Sequence, residues 1–222
     1  MTSIEQYYED YWQGPEAYHD PSTPARQRLL KVAFSTLPRG SRVLDVGCGR
    51  GEFCHFFETQ GYRAFGTDIS NAAVQYASKA FPDIPFHAGP VESMVQEHGD
   101  SFDAVFSSEV IEHLFDVPGY LLAINRLLKP NGLFVLTTPY HGLTKNVLID
   151  LFGFAKHYDP FGQHIRFFDR KGLTKCLRTF GFTPFRLTGY GRPWPLWKSM
   201  FVAARKTCAA QPLKFGTQGA YV

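Results

Sequence analysis

The sequence predicts an α/β domain: a doubly wound sheet, largely parallel, with helices on both faces. Three observations carry this. Short apolar runs alternate with helix-length segments from about residue 41 to 138, a glycine cluster follows the first run, and an acid closes the second. The runs are "RVLDVGC", "YRAFGTD", "IPFHAG", "FDAVFSS" and "GLFVLTTP", several β-branched and each ending in small or polar residues. Between them, 116–128 is the clearest helix: Val117, Leu121, Ile124 and Leu128 recur at helical spacing before "KPNG" is expected to stop it. Ligands of such sheets gather beyond the carboxyl ends of the strands, so these strand ends should border one crevice.

Three flanking parts complete the layout. Residues 1–36 read as a helical cap of two helices, the first carrying Tyr7, Tyr8, Tyr11 and Trp12 on one face as a lid over the crevice. The main domain is expected over 37–205, with an aromatic-rich insertion at 139–168. A helix at 169–180, with Leu173, Leu177 and Phe180 in register, precedes a hairpin of "FTPFRLTGY" and "SMFVAAR"; 206–222 reads as a flexible tail.

Composition narrows the partners. The 222 residues are 44% hydrophobic and 19% charged, as in a globular protein, and the net charge of +3 is spread over singletons such as Lys145, Lys156 and Arg166. A nucleic-acid partner is therefore not expected. Cys48, Cys54, Cys176 and Cys208 show no paired spacing and read as free thiols in a reduced compartment. The opening "MTSIEQYYED" lacks an apolar signal core, and no run reaches bilayer length, so the expectation is a cytoplasmic protein without a membrane span.

The most specific signal is "VLDVGCGRGEF", residues 43–53: a strand, then Gly47, Gly49 and Gly51, then a helix opening with Glu52. Glycines serve where backbone must turn tightly and approach a ligand. The third glycine comes one residue too early for a dinucleotide fingerprint, and Asp45 and Glu52 make the loop a poor pyrophosphate cradle. Acids suit a cationic ligand instead. Asp68, at the end of the second run, is placed to accept both hydroxyls of a ribose. The site reads as one for adenosine with a cationic, non-phosphorylated extension.

With "VLDVGCGRG", "GTDIS", "FDAVFSSEVIEHL" and "LLKPNGLFVLTTP" in this order, residues 25–205 resemble the class I methyltransferases that use S-adenosylmethionine. The resemblance implies that cofactor and a Rossmann-like sheet of seven strands, ordered 3-2-1-4-5-7-6 with the seventh antiparallel. It places Gly47 and Gly49 against the methionine part and Asp68 on the ribose, and counts Asp45, Gly51 and Ser107 with the cofactor-binding residues. Pro90 stands where many relatives carry an acid, so adenine contacts pass to the backbone at Val91, with Ile69 as an apolar wall.

The stretch "SSEVIEHLFD", residues 107–116, is expected to be helical, with Glu109, Glu112 and His113 on one face and Val110, Ile111 and Leu114 turned away. Three readings stay open. His113 is a general base oriented by Glu109; Glu109, Glu112, His113 and His164 bind a divalent metal; or the charges simply meet solvent at a helix end. His141 and His164 are the other histidines placed to reach the methyl group, whereas His19, His55, His87 and His98 read as structural or exposed.

The E-x-x-E-H pattern is similar to the ubiquinone-pathway O-methyltransferases and to the small-RNA terminal 2′-O-methyltransferases, in which a further His completes a metal site. The insertion, with Phe152, Phe154, Tyr158 and Phe161, is expected to wall a site for an aromatic or amphipathic metabolite that is methylated on oxygen. The alternatives are metal-dependent 2′-O-methylation of an RNA end, or a protein that binds the cofactor without catalysis. A homodimer is one option for the assembly.

Overall fold

The computed structural model describes residues 3–13, 20–159 and 162–211. His19, Phe161 and all but the first residues of the expected tail lie outside them. The first two helices are α1 (Ser3–Gln13) and α2 (Thr23–Ala33). The alternating part runs β1 (Arg42–Val46), α3 (Glu52–Thr59), β2 (Arg63–Asp68), α4 (Asn71–Ala80), β3 (Phe86–Ala88), a 3₁₀ turn (Val91–Met94), α5 (Val95–His98) and β4 (Phe102–Ser108). A second 3₁₀ turn (Ile111–His113), α6 (Val117–Leu127) and β5 (Leu128–Pro139) follow, then α7 (Leu143–Phe152), α8 (Phe154–His157), α9 (Arg170–Thr179), β6 (Phe182–Tyr190) and β7 (Ser199–Lys206). The sheet order is β3-β2-β1-β4-β5-β7-β6, with β7 antiparallel to both its neighbours, as the resemblance implies.

Side chains alternate between two cores, one on each face of the sheet. On β5, Phe134 and Leu136 face α6 and α9, meeting Leu121, Ile124 and Leu177. Leu133 and Val135 face α2 and α3, meeting Leu30, Phe34 and Phe57. Strands buried on both faces need near-continuous apolar runs, which is why these segments read so clearly. Their backbone groups are paired within the sheet, so the polar strand ends are left to the crevice.

The structure departs from the periodicity after α6. The helix does end before "KPNG", at Leu127, but Leu128 and "KPNG" already form the start of β5, ahead of the expected run "GLFVLTTP". Leu128 pairs with Phe102, Lys129 Nζ bonds Asp103 at 2.7 Å, and Asn131 takes a left-handed φ of 62° where the register shifts. The first residues of the expected tail, 206–210, are tied to the domain. Lys206 Nζ donates to Asp100 and to the Leu128 carbonyl, and Ala210 N donates to Asn125 Oδ1 at 3.1 Å. Among the described residues no helix is long and apolar enough to cross a membrane, and the four cysteines are free.

Candidate active site

A cavity of about 640 Å³ opens at the carboxyl ends of β1, β2, β4 and β5. One of its walls is the loop between β1 and α3. Gly47, Gly49 and Gly51 all have left-handed φ, of 74°, 51° and 82°. A Cβ on Gly47 would lie 2.4 Å from Val110 Cγ2, and one on Gly49 would lie 2.7 Å from the Trp12 ring. Both the conformation and the space thus require glycine. Asp68, buried at the end of β2, accepts Gly49 N at 2.9 Å through one oxygen and Ser70 N at 3.0 Å through the other. Burial raises its pKa, and its carboxylate ties the loop to the start of α4.

The cap closes this side. Tyr8, Tyr11 and Trp12 line the cavity from α1. Glu9 accepts Ser70 Oγ at 2.9 Å and Ala72 N at 3.1 Å, satisfying donors at the N-terminus of α4. The Arg50 guanidinium lies 5.8 Å from the Trp12 ring centre and donates to the Trp12 carbonyl.

A second wall is built around the turn after β4, which is not the expected helix. Glu109 takes a left-handed φ of 55° and donates its N–H to Thr137 O at 3.0 Å. Only three residues of 3₁₀ turn follow. The two carboxylates take different partners. Glu109 accepts Tyr190 OH at 3.2 Å and Ser199 Oγ at 3.4 Å. Glu112, wholly buried, accepts Thr138 Oγ1 at 3.0 Å through one oxygen, while its other, Oε1, has no hydrogen bond. Burial, then the charge of Glu109, pushes the Glu112 pKa well up.

Opposite Glu112 stand two imidazoles. The Glu112 carbonyl accepts both Ile165 N and Arg166 N at 3.0 Å, and Arg166 donates to the Leu114 and Phe115 carbonyls. These bonds bring His164 against His113, with ring centres 4.9 Å apart. His113 Nδ1 lies 3.0 Å from Gln163 O; a carbonyl only accepts, so Nδ1 carries the proton and Nε2 keeps its lone pair, 3.9 Å from Glu112 Oε1. Burial lowers the His113 pKa to about 4, favouring the neutral ring. One donor atom from each of Glu112, His113 and His164 falls within 4.8 Å of the others.

A family model described as a methyltransferase domain matches residues 19–186. The chain belongs to this family. It is an enzyme that uses S-adenosylmethionine. Its curated relatives include the ubiquinone biosynthesis O-methyltransferases of Brucella anthropi, 34% identical over 103 residues, and of Bradyrhizobium diazoefficiens, 38% identical over 103. Each match takes in 45% of this chain and only 41% or 40% of the relative's length. Among solved structures, the Burkholderia thailandensis 1,6-didemethyltoxoflavin-N1-methyltransferase with bound S-adenosylhomocysteine superposes with a TM-score of 0.67 at 22% identity, over 93% of this chain and 85% of that one. The geranyl diphosphate C-methyltransferase of Streptomyces coelicolor gives 0.69 at 13% identity, over 92% and 99%. These neighbours share the fold.

In this methyltransferase, Gly47, Gly49, Asp68, Ile69, Val91, Glu109, His113 and His164 all line the cavity. Asp45, Gly51 and Ser107 lie behind its lining. Asp45 is buried beside Cys54, its pKa pushed up to about 8 chiefly by burial, and Ser107 Oγ accepts Tyr120 OH at 2.7 Å. His141 is buried away from the cavity, 3.3 Å from Asn146 Oδ1 and packed on His157.

Several expectations need correction. Val110 and Leu114, expected to turn away, line the cavity. Glu109 is not the partner of His113, whose Nδ1 is taken by Gln163. Phe152 and Phe154 wall nothing: they are 83% and 59% exposed. The aromatic lining comes instead from Tyr8, Tyr11 and Trp12, with Phe53 and Phe115. Arg26 went unnoticed in the sequence, though it is buried, paired with Asp20 and bonded to Ser108 at the cavity wall. Its only signal was a cation on the inward face of an amphipathic helix.

Proposed function

We propose that this methyltransferase methylates an oxygen of a small aromatic or amphipathic acceptor, with a divalent metal ion held by Glu112, His113 and His164. The observation that carries the metal is Glu112 Oε1, a buried carboxylate oxygen without a hydrogen bond, facing two imidazoles. Leaving such an atom unmet is costly, and a cation would meet it. A carboxylate and two neutral imidazoles suit Mn²⁺ or Zn²⁺, and Mg²⁺ if water fills out the shell. When bound, the ion supplies Lewis acidity that lowers the pKa of an acceptor hydroxyl.

The chain's own residues do the rest in this reading. Gln163 fixes the His113 tautomer, and Thr138 orients Glu112. Asp68 takes the ribose, Gly47 and Gly49 admit the methionine part, and Val91 and Ile69 border the adenine. The α1 helix acts as a lid, its aromatic face excluding water while donor and acceptor are aligned. The aromatic lining favours a flat or amphipathic acceptor, and the named relatives methylate oxygen in ubiquinone biosynthesis.

Turnover against catechols, hydroxybenzoates and short RNA, before and after chelation, tests the proposal. A phenolic acceptor should be methylated, activity should vanish with chelator, and Mg²⁺ or Mn²⁺ should restore it. Turnover that survives chelation leaves His113 as a plain base. A preference for RNA overturns the acceptor class.

A further inference from the structure

The helix α7 is amphipathic in the wrong direction for a packed insertion. Lys145, Asn146 and Ile149 are half-buried, while Leu143, Val147, Leu148, Leu151 and Phe152 are exposed together with Thr144 and a single acid, Asp150; Leu143 is 82% exposed and Leu151 68%. Phe154 of α8 extends this face. Single exposed apolar residues are ordinary, but a contiguous set on one helix marks an interaction surface.

A basic groove adjoins it. Leu143 and Gly142, at the start of α7, also line an open groove of about 1200 Å³ between α9, β6 and Trp194. Arg170, Lys171, Lys175 and Arg178 of α9 and Arg186 of β6 all face it. Its lining acid, Asp169, is engaged in capping α9 through Gly172 N. Among the described residues none of the five cations is in an ion pair with an acid. The same segment also reaches the active site: Lys145, two residues from Leu143, and His157 at the end of α8 line the cavity.

We propose that the exposed face of α7 and α8 and the groove of α9 together dock this methyltransferase on an anionic lipid surface. Apolar residues entering the acyl boundary beside a row of cations at the headgroups is the pattern of an interfacial helix. Charge complementarity selects the occupant. A single-stranded nucleic acid would use the cations and Trp194, but it gains little from Leu143, Val147 and Leu151, which do not stack on bases. A symmetric second copy would bring this basic patch near its own duplicate. A bilayer uses both parts, and it sets the mouth of the cavity at the lipid boundary, where an amphipathic acceptor would enter.

Co-sedimentation with phosphatidylcholine vesicles, with and without phosphatidylglycerol, tests this without requiring turnover, so its failure leaves the reading of the active site standing. The protein should bind the anionic vesicles and release them as salt rises. Leu151→Ser with Phe152→Ser should weaken binding about tenfold or more, and so should Lys175→Gln with Arg178→Gln. Both double variants should keep their affinity for S-adenosylhomocysteine, which reports an intact fold. Absence of binding to anionic vesicles, or binding that both folded variants retain, overturns the proposal. So does tighter binding of short single-stranded RNA, or a dimer that the α7 variant splits.

Discussion

The two sides of the crevice are built differently. On the side proposed to take the cofactor, the loop between β1 and α3 is shaped by residues close in sequence: three left-handed glycines, and an acid that ends the next strand and bonds the loop directly. On the side proposed to meet the acceptor, Glu112 and His113 face His164, a residue delivered from a distant segment by bonds to the Glu112 carbonyl. The cofactor side is a local device, and the acceptor side exists only once the chain has folded around it. Substitutions on the two sides should therefore separate cofactor affinity from turnover.

The largest effect should come from His113→Ala. We expect turnover to fall about 10²–10⁴-fold while calorimetry finds S-adenosylhomocysteine affinity nearly unchanged. An equal loss in both would mean that the two sides are not separable. Asp68→Ala should do the reverse, weakening cofactor binding by about 1.5–3 kcal/mol, the range for losing hydrogen bonds to a charged group. Unchanged affinity in that variant would remove Asp68 from the ribose.

A moderate effect is expected at the cap. Hydrogen exchange over residues 3–13 should slow when S-adenosylhomocysteine binds, because the Trp12 and Tyr8 rings meet the cavity. Protection indifferent to ligand would leave α1 as static packing. The smallest effect should be Glu109→Gln. Tyr190 OH and Ser199 Oγ donate to different oxygens of this carboxylate; in glutamine the amide oxygen keeps one of these bonds, and the amide N–H donates to the other hydroxyl oxygen once its proton turns away. A stability change within about 1 kcal/mol by thermal unfolding fits this, and a much larger one would mean that its charge is needed.

The same contrast explains what could be read in advance. The sheet was legible because strands buried on both faces must be apolar throughout, and the glycine loop because its residues are dictated by backbone shape. The turn at Glu109 was not. Its left-handed residue and short 3₁₀ form depend on Thr137 and on Ile165 and Arg166, all remote in sequence, so local spacing suggested a helix that folding overrides. Aromatic content marks 139–168 as an insertion without saying which of its side chains turn inward. Phe152 therefore read as a wall and proved to be surface. Likewise "KPNG" carries turn residues, but the pairing of Leu128 with Phe102 draws it into β5.

The central claim is that Glu112, His113 and His164 form one cation site, and direct titration of Mn²⁺ by calorimetry tests it. The wild-type protein should bind one ion per chain, and Glu112→Gln and His164→Ala should each abolish that binding while retaining affinity for S-adenosylhomocysteine. A wild-type protein that binds no divalent ion, or variants that bind it as well as the wild type, would contradict the account.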